Sequence, residues 1–320
     1  MTASPERTLL GLVDGLLRAT EDAAVAAAAW RGRGDEKAAD QAAVDAMRER
    51  LRRLPMAGTV VIGEGERDAA PMLYVGEAVG DGTGPDVDIA VDPLEGTTIC
   101  ATDSPGALAV LAAGGRGDLL RAPDVYMEKL AVGPGCPDDL LRLDRPPADN
   151  LGRIADAKGC RIDDLTVCIL HRERHDALIR AVRAAGARLR LIGDGDVAAV
   201  IQVADHASPV DVYMGTGGAP EGVLAAAALA CTGGAMQARL VFRDEDERAR
   251  ASRAGIRDLE RVYDRHDLAS GNTLLMVTGV TDGPLVEGPV RSGTGVTCDS
   301  LVFAADGRRE RRRSTVPLSR

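Results

Sequence analysis

Apolar residues at Leu9, Leu10, Val13, Leu16 and Leu17 recur at helical spacing, and an Ala-rich continuation to Trp30 predicts a helix over 5–30. Arg31-Gly32-Arg33-Gly34-Asp35 breaks it, because its glycines let the chain turn. Ala43, Met47, Leu51 and Leu54 then share a face and predict a second helix over about 40–54. Asp40 falls in the first turn of that helix, where an Asp ordinarily caps or meets the dipole. The period changes at Thr59-Val60-Val61-Ile62, a β-branched run that predicts a strand. It ends at Gly63-Glu64-Gly65-Glu66-Arg67-Asp68, where the flanking glycines allow a tight turn that presents Glu64. Helical residues are predicted around Pro71-Met72-Leu73. A buried strand over 86–91 stops at Asp92-Pro93, because proline cannot donate to a sheet ladder, and the chain is predicted to leave the sheet there. Residues 107–112 predict a further strand.

Beyond a mixed stretch at 114–160 the pattern alternates strand and helix. Strands are predicted at 165–170, 189–192 and 210–214. Each is followed by a polar or glycine-rich helix entry: 171–176, Gly193-Asp194-Gly195-Asp196, and 215–221 ending in Glu221. Such alternation predicts an α/β lobe with loops gathered at strand ends. The N-terminal part reads as α+β, which gives two lobes, 1–155 and 156–320, with a soft boundary. Residues 243–262 are densely charged and predict a solvated helix.

Composition narrows the class. With 320 residues, 45% hydrophobic and 28% charged, the chain reads as an ordinary soluble protein. At 2% aromatics, its core must rest on Ala, Val, Leu and Ile. A net charge of −10 argues against a general nucleic-acid binder, which needs a basic face. The basic cluster over 308–313 reads most simply as a solvent-facing strand or tail. The six cysteines are far apart and lack Cys-x-x-Cys spacing, which points to reduced thiols in a cytoplasmic protein. No run of about 18 apolar residues predicts a membrane span, and Glu6 and Asp14 interrupt any signal-peptide core.

Two acidic strand ends carry the candidate chemistry. In Val87-Asp88-Ile89-Ala90-Val91-Asp92-Pro93-Leu94-Glu95-Gly96-Thr97-Thr98, two carboxylates and two hydroxyls crowd around a permissive glycine. Carboxylates this close repel unless a cation or a proton intervenes. Hard oxygen donors suit Mg²⁺ or Mn²⁺. Glycine-rich helix entries offer backbone N–H groups to phosphate. Together these features point to metal-assisted phosphoryl chemistry, with Thr97 placed to hydrogen-bond a water and Glu64 or Asp68 to take its proton.

The motifs of the chain resemble those of the class II, GlpX-type fructose-1,6-bisphosphatases, within the lithium-sensitive, metal-dependent sugar phosphatase superfamily. The matching stretches are Val-Ile-Gly-Glu-Gly-Glu at 61–66, Ala-Pro-Met-Leu-Tyr at 70–74, 87–97 as quoted, and Ala-Leu-Ala-Val-Leu-Ala at 107–112. Further matches are Ala-Pro-Asp-Val-Tyr-Met-Glu-Lys-Leu at 122–130, Gly-Asp-Gly-Asp-Val-Ala at 193–198 and Gly-Gly-Ala-Pro-Glu-Gly at 217–222. The resemblance implies a two-lobed layered α/β/α/β/α sandwich of the inositol monophosphatase-like type. It implies that Asp40, Glu64, Asp92, Glu95 and Glu221 ligate Mg²⁺ or Mn²⁺. It also implies that Glu95, Gly96, Thr97, Tyr126, Arg172, Glu173, Arg174, Asp194, Gly195, Asp196 and Gly218 contact a sugar bisphosphate. A homo-oligomer, dimer or tetramer, is implied as well. For Tyr126 a half-buried core role stays open.

Departures fall on the expected substrate surface. Arg172-Glu173-Arg174-His175 stands where the family usually has Lys-Pro-Arg-His, Glu36 where a lysine is usual, and Gly106 where Asn is common. Arg172 can replace the lysine's charge and bind phosphate bidentately. An inward Glu173 would weaken phosphate binding. The expected reaction is therefore removal of the 1-phosphate of fructose 1,6-bisphosphate, a gluconeogenic step. The alternatives are a related ester, sedoheptulose 1,7-bisphosphate or an inositol or cyclitol phosphate, and a non-catalytic sugar-phosphate-binding paralogue.

Overall fold

The structure, a computed structural model, describes residues 9–65, 72–137, 139–205, 208–293 and 295–317. Contacts divide the chain into Met1–Leu120 with Ser270–Arg320, and Arg121–Ala269. The expected lobes, 1–155 and 156–320, were drawn at one crossing of the chain. The observed division has two crossings, because strands after Ser270 return to pair with the N-terminal sheet.

In the first unit, helices α1 (Val13–Ala28) and α2 (Glu36–Leu51) pack on one face of a mixed sheet. Its strands are β1 (Ala57–Ile62), β2 (Ala78–Val79), β3 (Asp86–Glu95), β4 (Leu108–Gly115), and the returning β11 (Leu274–Gly279), β12 (Val290–Ser292), β13 (Gly295–Ala304) and β14 (Arg309–Val316). The order is β12-β13-β11-β4-β3-β1-β2, with β14 along the other side of β13. β1 and β3 are parallel, and the other pairs are antiparallel. Alternate residues Val87, Ile89 and Val91 of β3 and Ala109, Leu111 and Ala113 of β4 meet Leu16, Leu17, Ala43 and Met47 of the helices in one core. Of the helix predicted over 5–30, residues 5–8 lie outside the described residues, Leu9 and Leu10 precede a turn at 11–12, and the helix ends at Ala28.

Within the basic stretch 308–313, residues 309–313 lie on the edge strand β14, where exposed and half-exposed positions alternate. Its arginines face carboxylates: Arg311 Nε donates to Asp299 at 2.9 Å, and Arg313 to Glu287 at 2.7 Å.

The second unit has β5 (Tyr126–Val132), β6 (Thr166–Leu170), β7 (Arg188–Ile192), β8 (Val212–Gly218), β9 (Ala235–Val241) and β10 (Val262–Asp264), ordered β10-β9-β5-β8-β6-β7. β8, β6 and β7 run parallel, and the rest is antiparallel. Helices α4 (Pro147–Lys158) and α5 (Asp176–Ala184) cover one face through Leu151, Ile154, Ile179 and Val182. Helices α6 (Asp196–Val203) and α7 (Ala219–Thr232) cover the other, and their apolar residues are nearly all buried. The charged stretch 243–262 is only partly helical, over Glu245–Arg253, before the chain turns into β10. The chain is thus mixed α/β with two mixed sheets, as the layered fold requires.

Among the described residues no helix is long and apolar enough to cross a membrane. Among the described residues the cysteines form no disulfide. Burial pushes the thiols of Cys168 and Cys298 up to about 11 and about 12.

Candidate active site

In the first unit, β3 delivers Asp92 and Glu95. The expectation that the chain leaves the sheet at Pro93 is corrected: β3 continues to Glu95 through a bulge. Asp92 faces Val110 and Glu95 faces Leu108, so one extra residue on β3 is left out of register. The bulge takes proline's missing donor out of the ladder, so no bond is lost. Leu94 N donates to Asp92 Oδ1 at 3.1 Å, which holds that carboxylate against the bulge. Gly96 follows with φ 85°, the left-handed region that favours glycine. A Cβ there would also stand 2.9 Å from Ile99 Cδ1. Thr97 is then the first residue of a short helix, α3 (Thr97–Ala101), and is half-exposed.

Glu64 follows β1. Its backbone N–H donates to Leu73 O at 3.1 Å, and a Cβ on Gly63 would lie 1.9 Å from that oxygen, so this approach requires glycine. Helix was predicted around Leu73; among the described residues of that stretch, bends and turns replace it. Leu73 takes φ 51° and donates its N–H to Glu77, whose carboxylate Arg48 Nε also holds at 2.6 Å. Glu66, Arg67, Asp68 and Pro71 lie outside the described residues.

Asp40 is not in the first turn of α2. That helix starts at Glu36 and is capped by Asp35, whose Oδ1 accepts from Ala38 N at 3.0 Å. Asp40, one turn further in and half-buried, is left for another task. Burial raises its pKa. Burial, followed by the charges of Asp40 and Asp92, pushes Glu64 up to about 8. Asp40 and Asp92 therefore both lie close enough to act on Glu64, although no group of three Asp, Glu, His or Cys side chains among the described residues already has ligand geometry. The donor set, all carboxylate oxygen, fits a hard divalent cation, which would relieve the repulsion as a proton does.

A pH dependence follows. Glu64 binds its proton more tightly when folded, so its contribution to stability is full below about 4.5 and lost as pH rises through about 8. The metal-free protein is expected to lose Tm over that window, and Glu64→Gln to flatten the loss; parallel thermal melts from pH 5 to 8.5 check this. An equal loss in the variant would remove Glu64 as the cause.

The second unit carries the other predicted residues. Tyr126 opens β5, half-buried, with the guanidinium groups of Arg174 and Arg243 over its ring at 4.9 and 5.4 Å. Arg174 is exposed, and its fork takes Thr216 O at 3.0 and 2.8 Å. His175, buried behind it, bonds Leu170 O through Nδ1 at 2.7 Å and accepts Thr216 N–H at Nε2 at 2.8 Å. Burial lowers its pKa, in keeping with a neutral ring that accepts at Nε2. Both polar groups of the Thr216 peptide are therefore held by the 172–175 segment. Arg172 and Glu173 are exposed, and Glu173 opens a single 3₁₀ turn, Glu173–His175.

Asp194 Oδ1 accepts from Gly195 N at 3.1 Å, and Gly195, with φ 87°, leads into α6. Asp196 is buried and ion-paired with Lys129. Glu221 lies in the first turn of α7, just after Gly218. Residues 215–218 were predicted to open that helix as a loop. They extend β8 instead, paired along Lys129 to Tyr126 of β5.

Three residues were missed at the sequence level: Lys129, His175 and Arg243. A signal existed for Lys129, a cation between Met127 and Ala131 on one face of an apolar strand. Arg243 was hidden in a charged run and His175 in a helix entry.

The family model for bacterial, glpX-encoded fructose-1,6-bisphosphatase matches residues 11–316. A Synechococcus sp. (strain JA-3-3Ab) protein named D-fructose 1,6-bisphosphatase class 2/sedoheptulose 1,7-bisphosphatase is 43% identical over 328 residues, covering 95% of this chain and 94% of the relative. Escherichia coli (strain K12) fructose-1,6-bisphosphatase 1 class 2 is 47% identical over 309 residues, covering 92% and 91%.

Proposed function

The chain belongs to the bacterial, glpX-encoded fructose-1,6-bisphosphatase family, and from that membership we propose that it hydrolyses the 1-phosphate of fructose 1,6-bisphosphate to give fructose 6-phosphate. It is a phosphoric monoester hydrolase of class II. The observation that carries the site reading is that Asp40 and Asp92, brought from α2 and β3, both act on the Glu64 carboxylate at the end of β1.

Those three carboxylates, with Glu95 and Glu221, are the proposed ligands of Mg²⁺ or Mn²⁺. Bound there, the cations supply positive charge against phosphoryl oxygens and lower the pKa of water. Thr97 Oγ1 orients the attacking water, and Glu64 or Asp68 accepts its proton. The water oxygen bonds to phosphorus, the bond to the sugar's 1-oxygen breaks, that oxygen takes up a proton from solvent, and inorganic phosphate leaves. Arg172 and Arg174 are proposed to hold the ester, since guanidinium forks match phosphate oxygens. Glu173 is exposed, so the charge it adds beside them is open to water and screening. A cytoplasmic homo-oligomer is part of the same proposal.

Sedoheptulose 1,7-bisphosphate is a second reading, favoured by the dual name of the Synechococcus relative. Phosphate release from a panel of fructose, sedoheptulose, inositol and cyclitol phosphates, with Mg²⁺ or Mn²⁺, tests both. Release from fructose 1,6-bisphosphate is expected. Release confined to other esters would move the assignment, and none from any ester would leave a non-catalytic binding protein.

A further inference from the structure

Within the second unit, β5, the start of α6 and the junction of β8 with α7 are distant in sequence, yet one side chain ties them together. Lys129 of β5 is among the largest fully buried side chains, with 1% exposure. Its ammonium pairs with Asp196 and donates to Gly218 O at 3.0 Å. Tyr213 OH reaches the same carboxylate oxygen at 3.4 Å. A Cβ on Gly217 would stand 2.1 Å from Asp196 Oδ2 and 2.9 Å from Lys129 Nζ. At Gly218 a Cβ would stand 1.9 Å from Glu221 Oε2. The glycine backbone therefore lies directly against the ion pair on one side and the Glu221 carboxylate on the other.

A buried ion pair is a weak source of stability, because desolvation offsets much of the attraction, and an apolar pair of similar volume fills a core as well. What the pair adds here is position. Lys129 fixes the strand bearing Tyr126, the helix start next to Asp194 and Gly195, and the carbonyl of Gly218 three residues before Glu221. Asp196 is 6% exposed and engaged by Lys129 and Tyr213, an arrangement suited to holding neighbours rather than a ligand.

We propose that Lys129 is a positioning residue. Through its ion pair with Asp196 and its bond to Gly218 O it holds Tyr126, Gly195, Gly218 and Glu221 in place for the sugar bisphosphate. This rests on the proposed activity.

The test uses the full chain and three variants, Lys129→Met, Lys129→Met/Asp196→Asn and Gly217→Ala. Lys129→Met strands a buried carboxylate and is expected to lower Tm; the double variant removes that charge and should recover it. Gly217→Ala keeps both charges but displaces them. In the double variant and in Gly217→Ala, KM for fructose 1,6-bisphosphate is expected to rise about tenfold or more, with kcat changing less, as when an outer-shell partner is lost. Backbone hydrogen exchange should quicken at Ala199 and Ala219, whose N–H groups bond Gly195 O and Val125 O, and stay unchanged in α4 and α5. A double variant with wild-type KM and wild-type exchange at both junctions would overturn the proposal. Wild-type protein that releases no phosphate would overturn the proposed activity instead, and the exchange readout would still decide the role of Lys129.

Discussion

Asp92→Asn is expected to lower kcat/KM for fructose 1,6-bisphosphate by about 10³-fold, because a cation's stabilisation of transferring charge is worth several kcal/mol and each 1.36 kcal/mol is tenfold. The substitution is nearly isosteric. An amide oxygen can still accept the Leu94 N–H, so the bulge that carries the side chain should survive and Tm should change little. A second signature separates loss of a ligand from misfolding. Asp92 is one of the charges that raise Glu64, so removing it brings the Glu64 pKa down and moves the stability loss of the metal-free protein to lower pH. Steady-state phosphate release with Mg²⁺ or Mn²⁺, together with pH-dependent melts, measures both. Turnover within threefold of wild type would withdraw Asp92 from the ligand set.

How much of this was legible depends on whether the deciding contact was local. Gly96 and Gly195 were readable as turn residues, because their left-handed backbone is a property of the residue itself. The apolar runs gave strands of the right kind because alternating burial follows from side-chain period. Pro93 misled, because a missing donor ends a strand only when the partner keeps register, and β4 accommodates a bulge instead. Asp40 misled in the opposite direction. Its helix begins four residues earlier, in a segment whose glycines suggested a break, where Asp35 provides the cap.

Gly215, Gly217 and Gly218 show the limit most clearly. In sequence they resemble a loop, yet they are a strand stripped of side chains to admit others. His175 would lie 3.3 Å from a Cβ on Gly215, Asp196 2.1 Å from one on Gly217, and Glu221 1.9 Å from one on Gly218. Each intruder is in contact through the fold, and only Glu221 is near in sequence. Gly106 is the contrasting case. With φ 108°, open space around its Cβ position and its N–H bonded to Thr281 Oγ1, it is set by backbone conformation alone, and its departure from the family's Asn needs no change in the substrate to explain it. Glu64, Asp92 and Glu95 were legible as residue types at strand ends; the approach of Asp40 and Asp92 to Glu64, which depends on three separate elements, was not.

Thr97→Ala is expected to lower kcat by about 10²-fold or more while metal binding persists, the loss ordinary for a group that positions a reacting proton. Three features of its setting make the experiment specific. Gly96 already supplies the left-handed turn, so Thr97 is not needed for the backbone. No hydrogen bond from its hydroxyl to another described side chain contributes to the helix, whose closing bonds run from Cys100 N to Gly96 O at 3.0 Å and from Thr102 N to Thr98 O at 3.0 Å. Alanine is also a good helix former, so α3 should form as before. A loss of turnover with unchanged Tm and unchanged Mn²⁺ affinity therefore reports on the hydroxyl itself. Thr97→Ser, which restores the hydroxyl without the methyl, should recover most of the rate. If alanine turned over as fast as threonine, water would have to be oriented by another group, and the carboxylates on either side of the bulge, Asp92 and Glu95, would be the next to test.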